Sequence, residues 1–460
     1  MPEEHRLPVR DHLENFEGSS CAITLRHWFT SPKPTISRVT CGPVTRSPNS
    51  AQKHPEPPIT TETAMKITDL TLRNLKGAME VDGPFVEDRM ARPPDVYEEF
   101  RTGGRIGRTN QIDGTHIEVA GTYLQIDTDE GVSGIFGPLW PGTAYHVWLI
   151  KGLVIGRDPF ATEFLWDVMH RNAAHGRQGE GMMAISAIDN ALWDLKGRAL
   201  NQPVYSLIGG ATQKTMPAYA SMLFYNAVDM GLVRERAQQM SEKGYPAQKW
   251  FFRHGPMSGP EGLKLNIELV KTVREAVGPD VQIAFDAWQS WDFNYAVKMC
   301  ERIAEFEPRW VEEVGMPDRI DTYRKVKERT SIPLSGAEHE YTRWGFKRWM
   351  DAEAVDIIQP DIAWCGGLSE ILKIASMATA YDITTIAHFG ASPQGMAFSA
   401  SQSPIHTPLV ELIPKAAETS YFFGEDGIDF KDGNVTVSEK PGFGFNIDPS
   451  KIESESVLEF

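Results

Sequence analysis

The sequence predicts an α/β protein: a TIM-like (β/α) barrel preceded by an α+β capping unit, to which the end of the chain returns. Three observations carry this. Seven apolar, strand-like runs in the second half each end in a polar residue, at Lys249, Asp286, Glu312, Glu338, Asp361, His388 and Glu411. Their successive separations of 37, 26, 26, 23, 27 and 23 residues are what one strand and one returning helix consume. Ahead of them, from Met65, the pattern alternates with period two before it turns helical. Behind them, residues 426–460 hold a turn and no helical period.

Residues 1–64 stand apart. They hold 9 of the 31 prolines and 4 of the 12 histidines with no sustained period, so a disordered or non-native N-terminal extension is expected. Its 7 acidic and 7 basic residues cancel, so the formal charge of −16 belongs to the remainder. Met65 opens "MKITDLTLRNL", which reads as the first strand and as the natural initiator. A transit peptide is the rival reading, and the acidic residues and missing apolar core argue against it.

Residues 65–208 are expected to form the capping domain. "THIEVAGTYLQIDTDEGVSGIFG" alternates around Asp129-Glu130-Gly131, a hairpin signal. Ile185, Ile188, Leu192, Leu195 and Leu200 then recur at helical spacing. Between Met79 and Arg108, a stretch dense in Arg, Gly and Pro predicts a mobile loop. Residues 209–425 carry eight strand candidates, from "MPAYASM" to "PLVELIP", separated by amphipathic stretches such as "KLNIELVKTVREAV". Eight strands suffice to close a barrel. Residues 426–460, with a turn at Asp432-Gly433, are expected to pack back on the capping domain.

Composition narrows the function classes. With 41% hydrophobic and 23% charged residues the chain is that of an ordinary globular protein, and no apolar run is long enough for a membrane span. The charge of −16 argues against a nucleic-acid or anionic-membrane partner, and an anionic substrate would need a local positive centre such as a metal. Cys21, Cys41, Cys300 and Cys365 show neither zinc spacing nor a disulfide framework, which suits a reducing cytoplasm.

At the ends of barrel strands, residues converge on one point above the barrel mouth. Asp286, Glu312 and Glu338 end successive strands, and three hard oxygen ligands without cysteine suit Mg2+. Any one alone would read as a solvated cap carboxylate; three in register do not. Glu340 lies two residues beyond Glu338 and on the same face if the segment is extended, so either could be the third ligand. His388 follows on the next strand after Asp361, so the carboxylate can orient one ring nitrogen and raise the basicity of the other.

These positions resemble the enolase superfamily and, within it, the acid sugar dehydratases of the mandelate racemase subgroup. The resemblance covers Met65 to Phe460 and rests on "SAIDNALWDLKGRALNQPVYSLIGG", "VEE", "SGAEHE", "IIQPDIAWCGGLSE" and "AHFG" taken together. "FDAWQSWDFNYA", "PDIAWCGGL" and "KPGFG" look like its L-rhamnonate dehydratase-like branch. It implies a modified barrel of the enolase type and Mg2+ on Asp286, Glu312 and Glu338. It further implies His388 and Asp361 as the base dyad, Lys249 neutralising the substrate carboxylate, and Glu411 hydrogen-bonding that carboxylate from the far side. The reaction implied is α-proton abstraction from an aldonate, leading through an enediolate to a 2-keto-3-deoxy acid.

Two departures bear on this. Where subgroup racemases carry Lys-x-Lys, this chain has Lys249-Trp250-Phe251, so inversion by two opposed bases is disfavoured and one-sided loss of a β-hydroxyl fits better. "GAEHE" also has one residue more between glycine and glutamate than the subgroup pattern. Arg89, Arg92 and Arg105 on the predicted loop, with His339, His254, Trp288 and Trp364 after strand ends, are the candidate substrate contacts. The alternatives are a racemase, epimerase or cycloisomerase of a related acid, and a catalytically idle relative with a binding role. The resemblance further implies a homo-oligomer, tetramer or octamer, acting on a small acid sugar.

Overall fold

A computed structural model describes residues 65–101 and 110–460; the extension 1–64 and Arg105 lie outside the described residues. The period-two stretch forms one antiparallel sheet from β1 (Ile67–Glu80), β2 (Asn110–Gln111), β3 (His116–Thr128) and β4 (Ser133–Leu139). β1 and β3 pair from Ile67 opposite Thr128 to Glu80 opposite His116. The turn into β4 falls at the predicted Asp129-Glu130-Gly131, where Gly131 takes φ +76° and donates its N–H to the Thr128 carbonyl.

Helix Gly179–Ala199 packs against this sheet through Ile185, Ile188, Leu192 and Leu195, all fully buried. Leu200, counted with that stripe, lies one residue past the helix and is half exposed. β4 approaches closely enough that a Cβ on Gly134 would sit 2.2 Å from the Ala191 carbonyl oxygen.

The periodic half forms eight parallel strands: β5 (Thr215–Ser221), β6 (Ala247–Phe251), β7 (Gln282–Asp286), β8 (Trp310–Glu312), β9 (Leu334–Gly336), β10 (Ile357–Ile358), β11 (Thr384–Thr385) and β12 (Val410–Leu412). They pair in the order β12, β5, then β6 through β11. The ring closes between its two ends, where Thr385 N–H donates to the His406 carbonyl (2.9 Å) and Ala391 N–H to the Glu411 carbonyl (2.8 Å). A helix follows each strand. Tyr219, Ala247, Ala284, Trp310, Ile357, Ile386 and Leu409 form one buried layer inside the barrel. Residues two apart on a strand share a face, so Asp286 and Glu312, two beyond Ala284 and Trp310, also point inward.

The return of the chain is divided. The hairpin of β13 (Phe430–Lys431) and β14 (Asn434–Thr436) pairs with β5 of the barrel, and only β15 (Ser454–Val457) joins the capping sheet, antiparallel to β1. Part of the predicted loop is ordered on the barrel: Glu87 N–H donates to the Phe224 carbonyl and Ala91 N–H to the Phe252 carbonyl. Among the described residues no helix is long and apolar enough to cross a membrane. Cys300 and Cys365 are free, buried thiols.

Candidate active site at the barrel mouth

The loops that leave the strands are strained in one place. Trp288 and Gln289 after β7, Glu313 after β8, Ala337 after β9 and Phe389 after β11 all have φ between +40° and +71°. Left-handed backbone costs non-glycine residues energy, and such residues cluster where a structure fixes functional groups.

Below this rim lies a buried charge cluster. Lys249 Nζ sits 2.5 Å from Glu312 Oε1, 2.9 Å from Glu411 Oε1 and 3.2 Å from Asp286 Oδ2. Burial favours the neutral amine, but Glu312, Glu411 and Asp286 outweigh it and hold the lysine well above its ordinary pKa. Gln359 Nε2 donates to Glu312 Oε2 at 2.7 Å. Glu411 accepts the Phe389 N–H at 2.7 Å. Burial raises its pKa, and Lys249 and His388 overcome that and bring it down to about 2.

Above it stand the histidines. His388 Nδ1 lies 2.7 Å from Asp361 Oδ2, and the two residues form an isolated parallel bridge three residues beyond the ends of β10 and β11. That leaves Nε2 facing the mouth, 3.6 Å from Glu338 Oε2. Burial lowers the His388 pKa, and Glu338 with the Asp361 hydrogen bond more than reverses this. His339 Nδ1 lies 3.1 Å from Glu313 Oε1 and 3.4 Å from Glu338 Oε1; these anions overcome burial and raise it to about 9. The Trp364 ring stands between the two imidazoles, 5.3 Å from His339 and 5.0 Å from His388, with Trp288 6.1 Å from His339.

Other predicted residues divide. Glu340 turns away: Oε2 accepts Trp349 Nε1 at 3.0 Å and Oε1 accepts the Tyr341 N–H. The left-handed Ala337 and the turn at 338–339 break the extended geometry that would have put both glutamates on one face. Arg89 is buried and spent on its own loop, donating to Asp95 and to the Met90, Phe100 and Arg101 carbonyls. Arg92 reaches the same Asp95 and the Phe100 carbonyl. The Arg89 guanidinium is thereby consumed by its own loop. His254 is half-buried after β6, where burial and Arg253 lower its pKa, and its Nε2 has no hydrogen-bond partner.

Sequence reasoning missed Glu313, Gln289, Gln359 and Ser221. Gln289 Nε2 bridges Glu313 and His339. Ser221 ends β5 opposite Lys249, two residues from the inward-facing Tyr219, and its buried hydroxyl has no hydrogen-bond partner. The "EE" doublet and the serine ending the first barrel strand were the available signals.

The charges do not balance. Asp286, Glu312, Glu313, Glu338, Asp361 and Glu411 are each at most 5% exposed, against Lys249, His339 and His388. Burial, then Glu312, pushes the Asp286 carboxyl well up; burial outweighs His388 and, helped by Glu313, lifts Glu338 to about 7. The Lys249 ammonium offsets part of the charge of Asp286, Glu312 and Glu411, and Glu338 is left with histidines as its counter-charges. The donors are hard oxygens, and Mg2+ suits them. Glu338 belongs both to the predicted set with Asp286 and Glu312 and to a second set with Glu313 and His339, whose ligand atoms all lie within 4.8 Å of one another.

Comparison with known proteins fits this geometry. Residues 114–209 match the N-terminal domain model of the mandelate racemase / muconate lactonizing enzymes, and residues 232–451 match the enolase C-terminal domain-like model. An L-rhamnonate dehydratase of Saccharopolyspora erythraea is 31% identical over 383 residues, covering 80% of this chain and 92% of that protein. The crystal structure of L-rhamnonate dehydratase from Gibberella zeae superposes with a TM-score of 0.71 at 29% identity, over 85% of this chain and 96% of that one. The same enzyme complexed with Mg superposes with a TM-score of 0.71 at 27% identity, with the same coverage. The 3,6-anhydro-D-galactonate cycloisomerase of Zobellia galactanivorans gives 0.67 at 26% identity, over 84% and 98%. The chain therefore belongs to the enolase superfamily, in its mandelate racemase branch.

Proposed function

We propose that the chain is a Mg2+-dependent hydro-lyase that dehydrates an acid sugar, L-rhamnonate or a close relative, to the 2-keto-3-deoxy acid. One observation carries this: the imidazole of His388 is fixed by Asp361 at 2.7 Å, with its other nitrogen aimed at the carboxylate-lined mouth. In that position the neutral form of His388, favoured once a cation offsets the Glu338 anion that raises its pKa, would take the proton α to the substrate carboxylate and return it to the departing β-hydroxide, while Asp361 holds the ring. Mg2+ held by Glu338 with Asp286 and Glu312 would take up the second negative charge that develops on the substrate carboxylate. Lys249 forms the positive floor beside it. That single lysine is already engaged by three carboxylates, which supports elimination over inversion by a second base.

In this reading residues 65–208 cap, residues 209–425 catalyse, residues 426–460 tie the two together, and the enzyme works in the cytoplasm as a homo-oligomer, tetramer or octamer. The test is incubation of the Mg2+-loaded enzyme with a library of acid sugars in D2O. Formation of a 2-keto acid from L-rhamnonate or a diastereomer is the expected result. Deuterium exchange or ring rearrangement without a keto acid would instead establish the racemase, epimerase or cycloisomerase reading, and no reaction at all the idle relative.

A further inference from the structure

We infer that the apolar face of the capping unit, formed by Trp140, helix Pro141–Ile150, Val457 and Phe460 beside the β15 edge, is where a second copy of this chain docks. The inference rests on the homo-oligomer reading above and supplies the face it lacks. The helix "PGTAYHVWLI" carries apolar residues all round. Thr143, Ala144 and Val147 are buried against the sheet, while Tyr145 and Leu149 on the other side are 42% and 51% exposed. A helix without a polar stripe is ordinarily covered on both sides.

Charge points the same way. Residues 131–150 contain no Asp, Glu, Lys or Arg, in a chain of formal charge −16. Two acidic copies repel over most of their surfaces and can approach most easily where charge is absent, as in the cores of protein interfaces. The end of the chain extends this face. Phe460, 48% exposed, packs on Tyr145 at 5.3 Å and Trp148 at 6.2 Å. β15 is an edge strand with all four residues exposed. Leu70, Leu72, Val147, Trp148, Val457 and Leu458 line one crevice together with Thr71, Asp69, Lys151 and Glu459, so helix, sheet and chain end form one continuous surface that is mainly but not wholly apolar.

A two-fold axis brings such a patch onto itself, matching apolar surface to apolar surface and one β15 edge antiparallel to its twin. The rival occupant is the extension 1–64, because Met65 packs in the same cluster as Leu139, Ala144 and Val147.

Sedimentation velocity on the full chain decides. The wild type is expected to be assembled, and Tyr145→Glu/Leu149→Glu to fall to about half that mass or less, since losing an isologous contact splits an assembly in two. Tyr145→Ser with Phe460→Ser, milder and wholly on exposed positions, guards against a folding defect and is expected to weaken assembly in the same direction. Wild-type mass in both variants would overturn the face and leave the homo-oligomer standing; a monomeric wild type would overturn both. A chain beginning at Met65 that gains mass over the full chain would assign the face to the extension instead.

Discussion

Two buried networks of carboxylates differ in who supplies their donors. Around helix Gly179–Ala199, Asp189 accepts from the barrel's Ser369 N–H (2.9 Å) and Oγ (2.6 Å), and Asp194 accepts from Ile135 N–H of β4, Phe443 N–H of the returning chain and Arg198 Nε of its own helix. Glu370 there takes the backbone N–H, Nε and Nη2 of Arg343. At the mouth one ammonium is shared by Asp286, Glu312 and Glu411, and Glu338 has only histidines within 4 Å as counter-charges. The first network is closed by groups the chain itself provides, which is what a permanent joint needs. The second is left short of positive charge, and an incomplete network is costly unless a ligand completes it.

The comparison breaks most sharply at His388. His388→Asn should lower turnover of the accepted acid sugar by about 100-fold to 10,000-fold, the span general acid–base groups contribute, with unfolding unchanged. Unaltered turnover in a steady-state assay would remove the base from this position. Next is the cation. Chelation should abolish keto-acid formation, and Glu338→Gln should weaken Mg2+ binding beyond the roughly 10-fold to 100-fold that outer partners of a metal cost. Calorimetric titration of Glu312→Gln beside Glu313→Gln then separates the two ligand sets: the larger loss should fall on Glu312, and a larger loss on Glu313 would move the site up to His339.

The strands of both regions were legible because period two and the strand-to-strand spacing are local properties of the chain. His388, Asp361, Asp286 and Glu338 were legible for the same reason, as polar residues at strand ends. Glu313 was not: alternation after Glu312 assigns it to the outer face, and only a left-handed backbone at φ +45° turns it into the mouth. The Glu338 or Glu340 ambiguity was likewise a consequence of assuming extended chain through Ala337. Arg89 looked like a substrate contact because sequence shows a cation, while the carbonyls that consume it lie at Phe100 and Arg101. Nothing local announces that Asp189 will meet Ser369, 180 residues away.

The junction yields smaller and different effects. Asp194→Ala leaves the buried N–H of Phe443 and the part-buried N–H of Ile135 without their acceptor, and should cost about 3 kcal/mol of unfolding free energy at roughly 1 to 3 kcal/mol per orphaned group. Turnover per folded molecule should hold. If urea denaturation finds less than about 1 kcal/mol, water replaces the carboxylate and the joint is looser than its hydrogen bonds imply.

The subtlest contrast is in pH. Burial raises the Asp189 carboxyl from 3.8 to about 7, against the opposing hydrogen bonds of Ser369 and the charge of Lys373. An acid whose folded pKa is raised holds its proton in the folded state after the unfolded chain has released it. Its contribution is therefore fully present below 3.8, declines as pH climbs, and is lost above about 7. Asp189→Asn keeps the shape and removes the titration, so its stability should depend less on pH across that window than the wild type's. Parallel pH slopes for wild type and variant would show Asp189 ionised throughout. The Ser369 donors would then be strong enough to hold a buried anion, and the junction would resemble the mouth with its cation in place.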